Sequence, residues 1–148
     1  MKNTANKPLN EMRIKLPSLS VNESIARSVV AAFCAQLDPS ATEIADIKCA
    51  VSEAVTNCIV HAYRDSIGII YINMKLCEER VVKVEIKDKG CGIEDVRAAR
   101  QPLFTTDAAN ERSGMGFTVM ESFCDTVRVR SKAGGGTSVT LFKIFEGR

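Results

Sequence analysis

The stretch 49–64, CAVSEAVTNCIVHAYR, sets the tightest condition on how this chain can fold. Wound as an α-helix, it places Glu53, Asn57 and His61 four apart, one turn above another on one wall. Ile47, Ala50, Val51, Ala54 and Cys58 follow the i, i+3, i+4, i+7 spacing of a stripe that needs burial. Such a stripe suits a helix packed against a sheet. The other wall carries an acid, a neutral amide and an imidazole. Taken alone, the same pattern also describes a solvated helix face.

The flanking patterns predict the second layer. With 148 residues the chain fits one domain over 11–148 behind a flexible start over 1–10, and such a domain buries about 70% of its unfolded surface. Residues 12–16 (MRIKL) alternate up to Pro17 and predict a short edge strand. Ser20 or Asn22 is placed to cap a helix over about 23–37, with Ile25, Val29, Ala32, Phe33 and Gln36 setting its period. Asp38-Pro39 ends it, and Ser40 with Glu43 has the spacing of a capping box for the long helix. Residues 69–76 and 81–87 (VVKVEIK) predict a hairpin with one buried face. A stretch of poor periodicity follows over 88–112, with a short helix over 94–100. Beyond it come a helix over 113–123 and strands over 126–131 and 137–143. The fold class is α/β: a two-layer sandwich, with a mostly antiparallel mixed sheet and helices on one face.

Composition narrows the function. A net charge of +2 without a long run of one sign gives no electrostatic reason to expect nucleic acid, and two Tyr, six Phe and no Trp are thin material for base stacking. Six cysteines without a CxxC pair read as small buried hydrophobes in a reducing compartment, and a single histidine argues against zinc. No apolar run reaches membrane-spanning length, so a cytoplasmic, soluble chain is expected.

The glycines carry the rest. Gly90/Gly92, Gly114/Gly116 and Gly134 to Gly136 form three clusters, each either a plain turn or a place where a ligand lies on the main chain. Ser113, Gly114, Met115, Gly116 and Phe117 open a helix, where free N–H groups favour phosphate oxygens, although Ser113 also suits a simple cap. No Lys-Ser/Thr follows, so this is not a Walker A loop. Asp88 ends a buried strand in DKGCG, placed either to accept from an exocyclic amine or to close an Asx turn. The neutral oxygen of Asn57 suits magnesium, which needs few protein ligands.

These residues together resemble the ATP-binding fold of the GHKL or Bergerat group, shared by gyrase, histidine kinases and a set of bacterial serine kinases. The likeness spans about residues 12–143. It rests on Glu53 and Asn57 four apart, then D-x-G-x-G at Asp88, Gly90 and Gly92, then G-x-G at Gly114 and Gly116, and finally G-T at Gly136 and Thr137. The resemblance implies ATP and Mg2+ as cofactors. Asn57 would hold the metal, Asp88 the adenine amine with Thr137 in support, and residues 113–117 the phosphates, under an ATP lid over 101–113. SEAVTNCIVHAY, RQPLFTT and ERSGMGFTVME are most similar to the serine kinases that act as anti-sigma factors in sporulation. That branch implies a sigma factor of the sigma F type and an anti-anti-sigma factor as partners, and a homodimer. It also implies Glu53 as general base, Arg112 as the neutraliser of the γ-phosphate and Arg27 as a partner contact. Two other readings compete. One is a nucleotide-dependent sequestering module that transfers no phosphate. The other is a detached histidine-kinase catalytic domain, disfavoured because the chain leaves no room for a dimerisation and acceptor-histidine domain.

Overall fold

The structure, a computed structural model, describes residues 8–93, 96–100 and 116–147. In chain order these form β1 (Pro8–Pro17), α1 (Val21–Cys34), α2 (Ala41–Asn57), β2 (Ile69–Cys77), β3 (Val81–Asp88), α3 (Val96–Ala99), α4 (Gly116–Phe123), β4 (Thr126–Ser131) and β5 (Thr137–Ile144). The strands lie in the order β1-β2-β3-β5-β4, and every neighbouring pair is antiparallel. Both β3 and β4 oppose β5, so they run parallel to each other with β5 between them. The chain from β3 to β4 is therefore a crossover, and α3 and α4 lie along it.

The alternation of the strands fixes the layers. Ile70, Ile72 and Met74 of β2, Val82, Val84 and Ile86 of β3, and Val139 and Leu141 of β5 face inward and are buried. At about 1.5–3 kcal/mol for each aliphatic side chain removed from water, this row is the main driving force for docking the helices. The outward positions of the same strands hold Tyr71, Asn73, Lys75, Lys83, Glu85 and Lys87, which pair across the ladder.

Against that inward row α2 lays the stripe the sequence predicts, with Ile47, Ala50, Val51, Ala54, Val55 and Cys58 buried. Its start is also as expected: the Ser40 hydroxyl accepts from Glu43 N at 3.1 Å, and the Glu43 carboxylate accepts from Ser40 N at 2.9 Å. The same carboxylate accepts from Glu146 N and Gly147 N, so the helix start also holds the C-terminal segment. Below the stripe, the largely buried Lys143 ammonium lies 3.7 Å from Asp46 of α2 and donates to Phe123 O at the end of α4.

Three expectations shift. β1 begins at Pro8, not Met12, so residues 8–10 of the start expected to be flexible are strand residues, with an irregularity in the pairing between Pro8 and Asn10. Helix α1 begins at Val21 and uses neither expected cap: the Ser20 side chain makes no cap bond, and Asn22 donates to Pro17 O at 2.9 Å. Its buried face is Asn22, Ala26, Val30, Phe33 and Cys34, one residue out of phase with the expected set, and Ile25 is exposed. Small Ala26 and Cys34 let the helix lie close to its neighbours, a preference that side-chain hydrophobicity alone does not register. The cysteines divide: Cys34, Cys58, Cys77 and Cys124 are buried as expected, but Cys49 and Cys91 are exposed, and all six are free thiols.

Candidate functional site

The register between β3 and β5 builds the centre of the site. Asp88, the last residue of β3, lies opposite Thr137, the first of β5, although the two are far apart in sequence. Asp88 Oδ1 accepts from Gly90 N at 2.9 Å and from Thr137 N at 3.2 Å. Its other oxygen, Oδ2, accepts from the Cys58 thiol at 3.5 Å. The carboxylate is 4% exposed, and no cation among the described residues pairs with it. Burial pushes its pKa up, and the backbone N–H groups and the thiol pull the other way without restoring the ordinary value. Burial, with the Asp88 charge behind it, likewise holds the Cys58 thiol well above the usual range, so it stays a protonated donor.

Two glycines make this junction sterically possible. At Gly136, φ is +85° and a Cβ would run into the backbone carbonyl of Asp88. At Gly92, φ is +77° and a Cβ would strike Lys132 O. The 88–92 loop is fastened on both sides, by Cys91 N to Ala62 O at 3.1 Å and by Gly134 N to Cys91 O at 2.6 Å. Ser131 finishes the floor. Its hydroxyl accepts from Ile93 N at 2.7 Å, donates to Gly136 O at 3.0 Å and lies 2.7 Å from the Thr137 hydroxyl.

Beside this floor runs the C-terminal half of α2. Glu53 and Asn57 lie one turn apart on it, both half-buried. The third expected member of that wall does not keep the spacing, because Cys58–Ala62 is a π-helical turn in which Tyr63 N reaches back to Cys58 O. Phe117 is buried at the first turn of α4, which Gly116 opens. Arg27, on α1, lies 3.5 Å from Glu23, whose carboxylate also accepts from Ser52 of α2. Arg112, Ser113, Gly114 and Met115, with the rest of the expected lid, lie outside the described residues.

Asp88, Gly92, Gly136 and Thr137 are thus brought together beside Asn57. Sequence reasoning missed Cys58, Ser131 and Tyr63 as parts of this floor. Cys58 carries no signal beyond its place on the apolar stripe. Ser131 has none at all, because it joins the adjoining β4–β5 turn to the distant Ile93.

Comparison with known proteins places this geometry. Residues 16–143 match the model of the histidine kinase-like ATPase domain. The anti-sigma F factor of Caldanaerobacter subterraneus subsp. tengcongensis is 58% identical over 134 residues, covering 90% of this chain and 93% of that protein. The anti-sigma F factor of Anoxybacillus flavithermus is 54% identical over 135 residues, covering 90% and 92%. Among solved structures, the chain holding the RsbU and RsbW domains of a Mycobacterium tuberculosis protein aligns with a TM-score of 0.68 at 22% identity, over 93% of this chain and 33% of that one. The histidine kinase domain of an Erythrobacter litoralis blue-light activated histidine kinase aligns at 0.54 and 17%, over 98% and 66%. At those identities the two structures speak for the fold alone, and the sequence matches carry the closer relation. The chain belongs to the histidine kinase-like ATPase domain family, on the branch that holds the anti-sigma F factors.

Proposed function

We propose that this chain binds ATP with magnesium, sequesters a sigma factor of the sigma F type, and phosphorylates a serine of an anti-anti-sigma factor. The observation that carries the reading is Asp88. A carboxylate buried without a counter-cation costs stability, and a fold keeps one where a ligand makes use of it. Among the described residues its backbone donors occupy Oδ1, and Oδ2 accepts from a weak thiol donor alone, which suits acceptance from an adenine amine. The names of the relatives support the sigma-binding half.

The proposed roles are those the family resemblance implies. Asp88 reads the amine, Thr137 supports it, and Gly92 keeps the loop close to the base. Ser113, Gly114, Met115, Gly116 and Phe117 take the phosphates at the start of α4. Among the described residues no three His, Cys, Asp or Glu side chains form a metal cluster. Asn57 offers one amide oxygen one turn from Glu53, which suits magnesium, a hard cation content with oxygen ligands from phosphates and water. When bound, magnesium neutralises triphosphate charge. Glu53 orients the serine hydroxyl and accepts its proton, Arg112, outside the described residues, is assigned to neutralise the γ-phosphate, and Arg27 meets the protein partners of what is read as a homodimer.

Incubation with magnesium-ATP and a panel of candidate anti-anti-sigma proteins, read by mass spectrometry, tests the assignment. Phosphate on one serine is the expected result. A chain that holds ATP and captures the sigma factor but transfers nothing is instead a sequestering module.

A further inference from the structure

The geometry points to Tyr63 as a positioning residue that sets the Asp88 loop for recognition of the base, an inference that rests on the functional reading above. Three consecutive amides after Asp88 are each held by a different acceptor. Lys89 N donates to the Tyr63 phenol at 2.8 Å, Gly90 N to Asp88 Oδ1 at 2.9 Å, and Cys91 N to Ala62 O at 3.1 Å. The phenol has a single proton and gives it to Ile69 O at 2.7 Å, so the lone pair that meets Lys89 N has one orientation. Burial pushes the phenol pKa up, so that proton is retained throughout the neutral range.

The surroundings are arranged for this ring. The π turn at Cys58–Ala62 inserts the extra residue that delivers Tyr63 and Ala62 O to the same loop. Gly68 clears the space, since a Cβ there would overlap three carbons of the Tyr63 ring. The bend after the ring is closed by Ser66 N to Tyr63 O at 2.7 Å. Gly68 itself is tied to Ser18, just before α1, by bonds in both directions. Of the three amide acceptors, only the phenol belongs to a side chain whose removal leaves Asp88 and the main chain intact. Tyr63 touches no reacting atom in this scheme, and it acts through the backbone next to the carboxylate.

Tyr63→Phe keeps the ring and deletes the acceptor. Gly68→Ala keeps the phenol and displaces the ring. Both variants are compared with wild type by amide hydrogen exchange without nucleotide, by calorimetry with ATP and GTP, and by KM and kcat for phosphoryl transfer. The expected result is faster exchange at residues 89–91 with little change in melting temperature. With it come an ATP Kd about fivefold higher, the size of one ordinary hydrogen bond, a narrower gap between ATP and GTP, and a rise in KM with kcat held. Wild-type exchange at those amides, or wild-type ATP affinity in both variants, overturns the inference. A drop in melting temperature with affinity unchanged overturns it as well, leaving Tyr63 a packing residue. If the wild-type chain itself takes up no adenine nucleotide, the functional reading fails and the base-recognition half of this inference fails with it. That outcome is told apart from failure of the inference alone, in which wild type binds and Tyr63→Phe binds equally well.

Discussion

Replacing Asp88 by Asn separates what the carboxylate does for the fold from what it does for a ligand. The amide is isosteric, and its oxygen still accepts from Gly90 N and Thr137 N. Its nitrogen takes the place of Oδ2 and faces the Cys58 sulfur, a weak acceptor as well as a weak donor. The fold therefore exchanges one weak sulfur contact and is relieved of a buried charge. The ligand-free variant should lie within about 1 kcal/mol of wild type or above it, a melting shift of at most about 2–4 °C for a chain of this size. Binding behaves differently. An exocyclic amine that met an anionic acceptor now meets another NH2 group. A hydrogen bond to a charged group contributes about 1.5–3 kcal/mol, and opposing donors add the cost of an unsatisfied group. A loss of about 3 kcal/mol, or roughly 150-fold in Kd, is expected.

The pH dependence carries its own sign. Because the folded carboxyl titrates above its unfolded value, folded Asp88 binds its proton more readily, and the ionised form lowers stability. The stability difference, Asp88→Asn minus wild type, should be largest above the raised pKa. It should shrink as pH falls through that pKa and vanish below 3.8, where wild type becomes neutral in both states. Paired thermal melts across acid pH and calorimetry with ATP at neutral pH measure both halves. A variant that binds ATP as well as wild type, or one that loses several kcal/mol without ligand, would refute the assignment of Asp88 to the ligand.

Further outcomes follow from individual contacts. Glu53→Ala should abolish serine phosphorylation while ATP and sigma binding persist, and undiminished transfer in a radiolabel assay removes Glu53 as the base. Asn57→Ala should weaken magnesium-dependent ATP binding, read as the loss of the difference between titrations with and without the metal. Gly136→Ala places a Cβ against the Asp88 carbonyl at a φ of +85°. It should cost on the order of 2 kcal/mol in denaturant melts, from backbone conformation and overlap together, and should weaken ATP in parallel. Asp46→Ala leaves the Lys143 ammonium largely buried, with Phe123 O as its one remaining partner among the described residues. It should destabilise the chain by about 2 kcal/mol, below the usual cost for a fully buried pair because Asp46 is partly exposed, and Lys143→Met should cost less.

The layer architecture was legible because it rests on periodicity. The α2 stripe, the capping box at Ser40 and the inward rows of β2 and β3 all repeat within a window shorter than one element. α1 was legible in period but not in phase, since Ala26 and Cys34 are buried for the close approach they permit while the larger Ile25 is left outside. Phase is settled by the neighbouring surface, which a window on one helix does not contain. β1 was shortened in the reading for the opposite reason: Pro8 to Asn10 carry no alternation, and they join the ladder because β2 is long enough to pair with them.

At the site the division falls elsewhere. Residue types with a chemical demand of their own, an acid at a strand end or a glycine where a Cβ would collide, could be picked out singly. Residues that matter through a partner could not. The Cys58 thiol meets Asp88 from thirty positions away, Ser131 joins Ile93 to Gly136, and the Tyr63 phenol joins Ile69 to Lys89. These bonds depend on the register of β5 with β3 and β4 or on the π turn after α2. Neither leaves a local mark, because the register is chosen by the inward rows of both strands together and the π turn by the one-residue surplus between Asn57 and the loop it must reach. A shift of β5 by one residue against β3 would turn Thr137 away from Asp88 and move Val139 and Leu141 off the core face at the same time. The apolar row that stabilises the sheet is therefore also what holds Thr137 N against the carboxylate, and substitutions that loosen the row should weaken ligand binding before they unfold the chain.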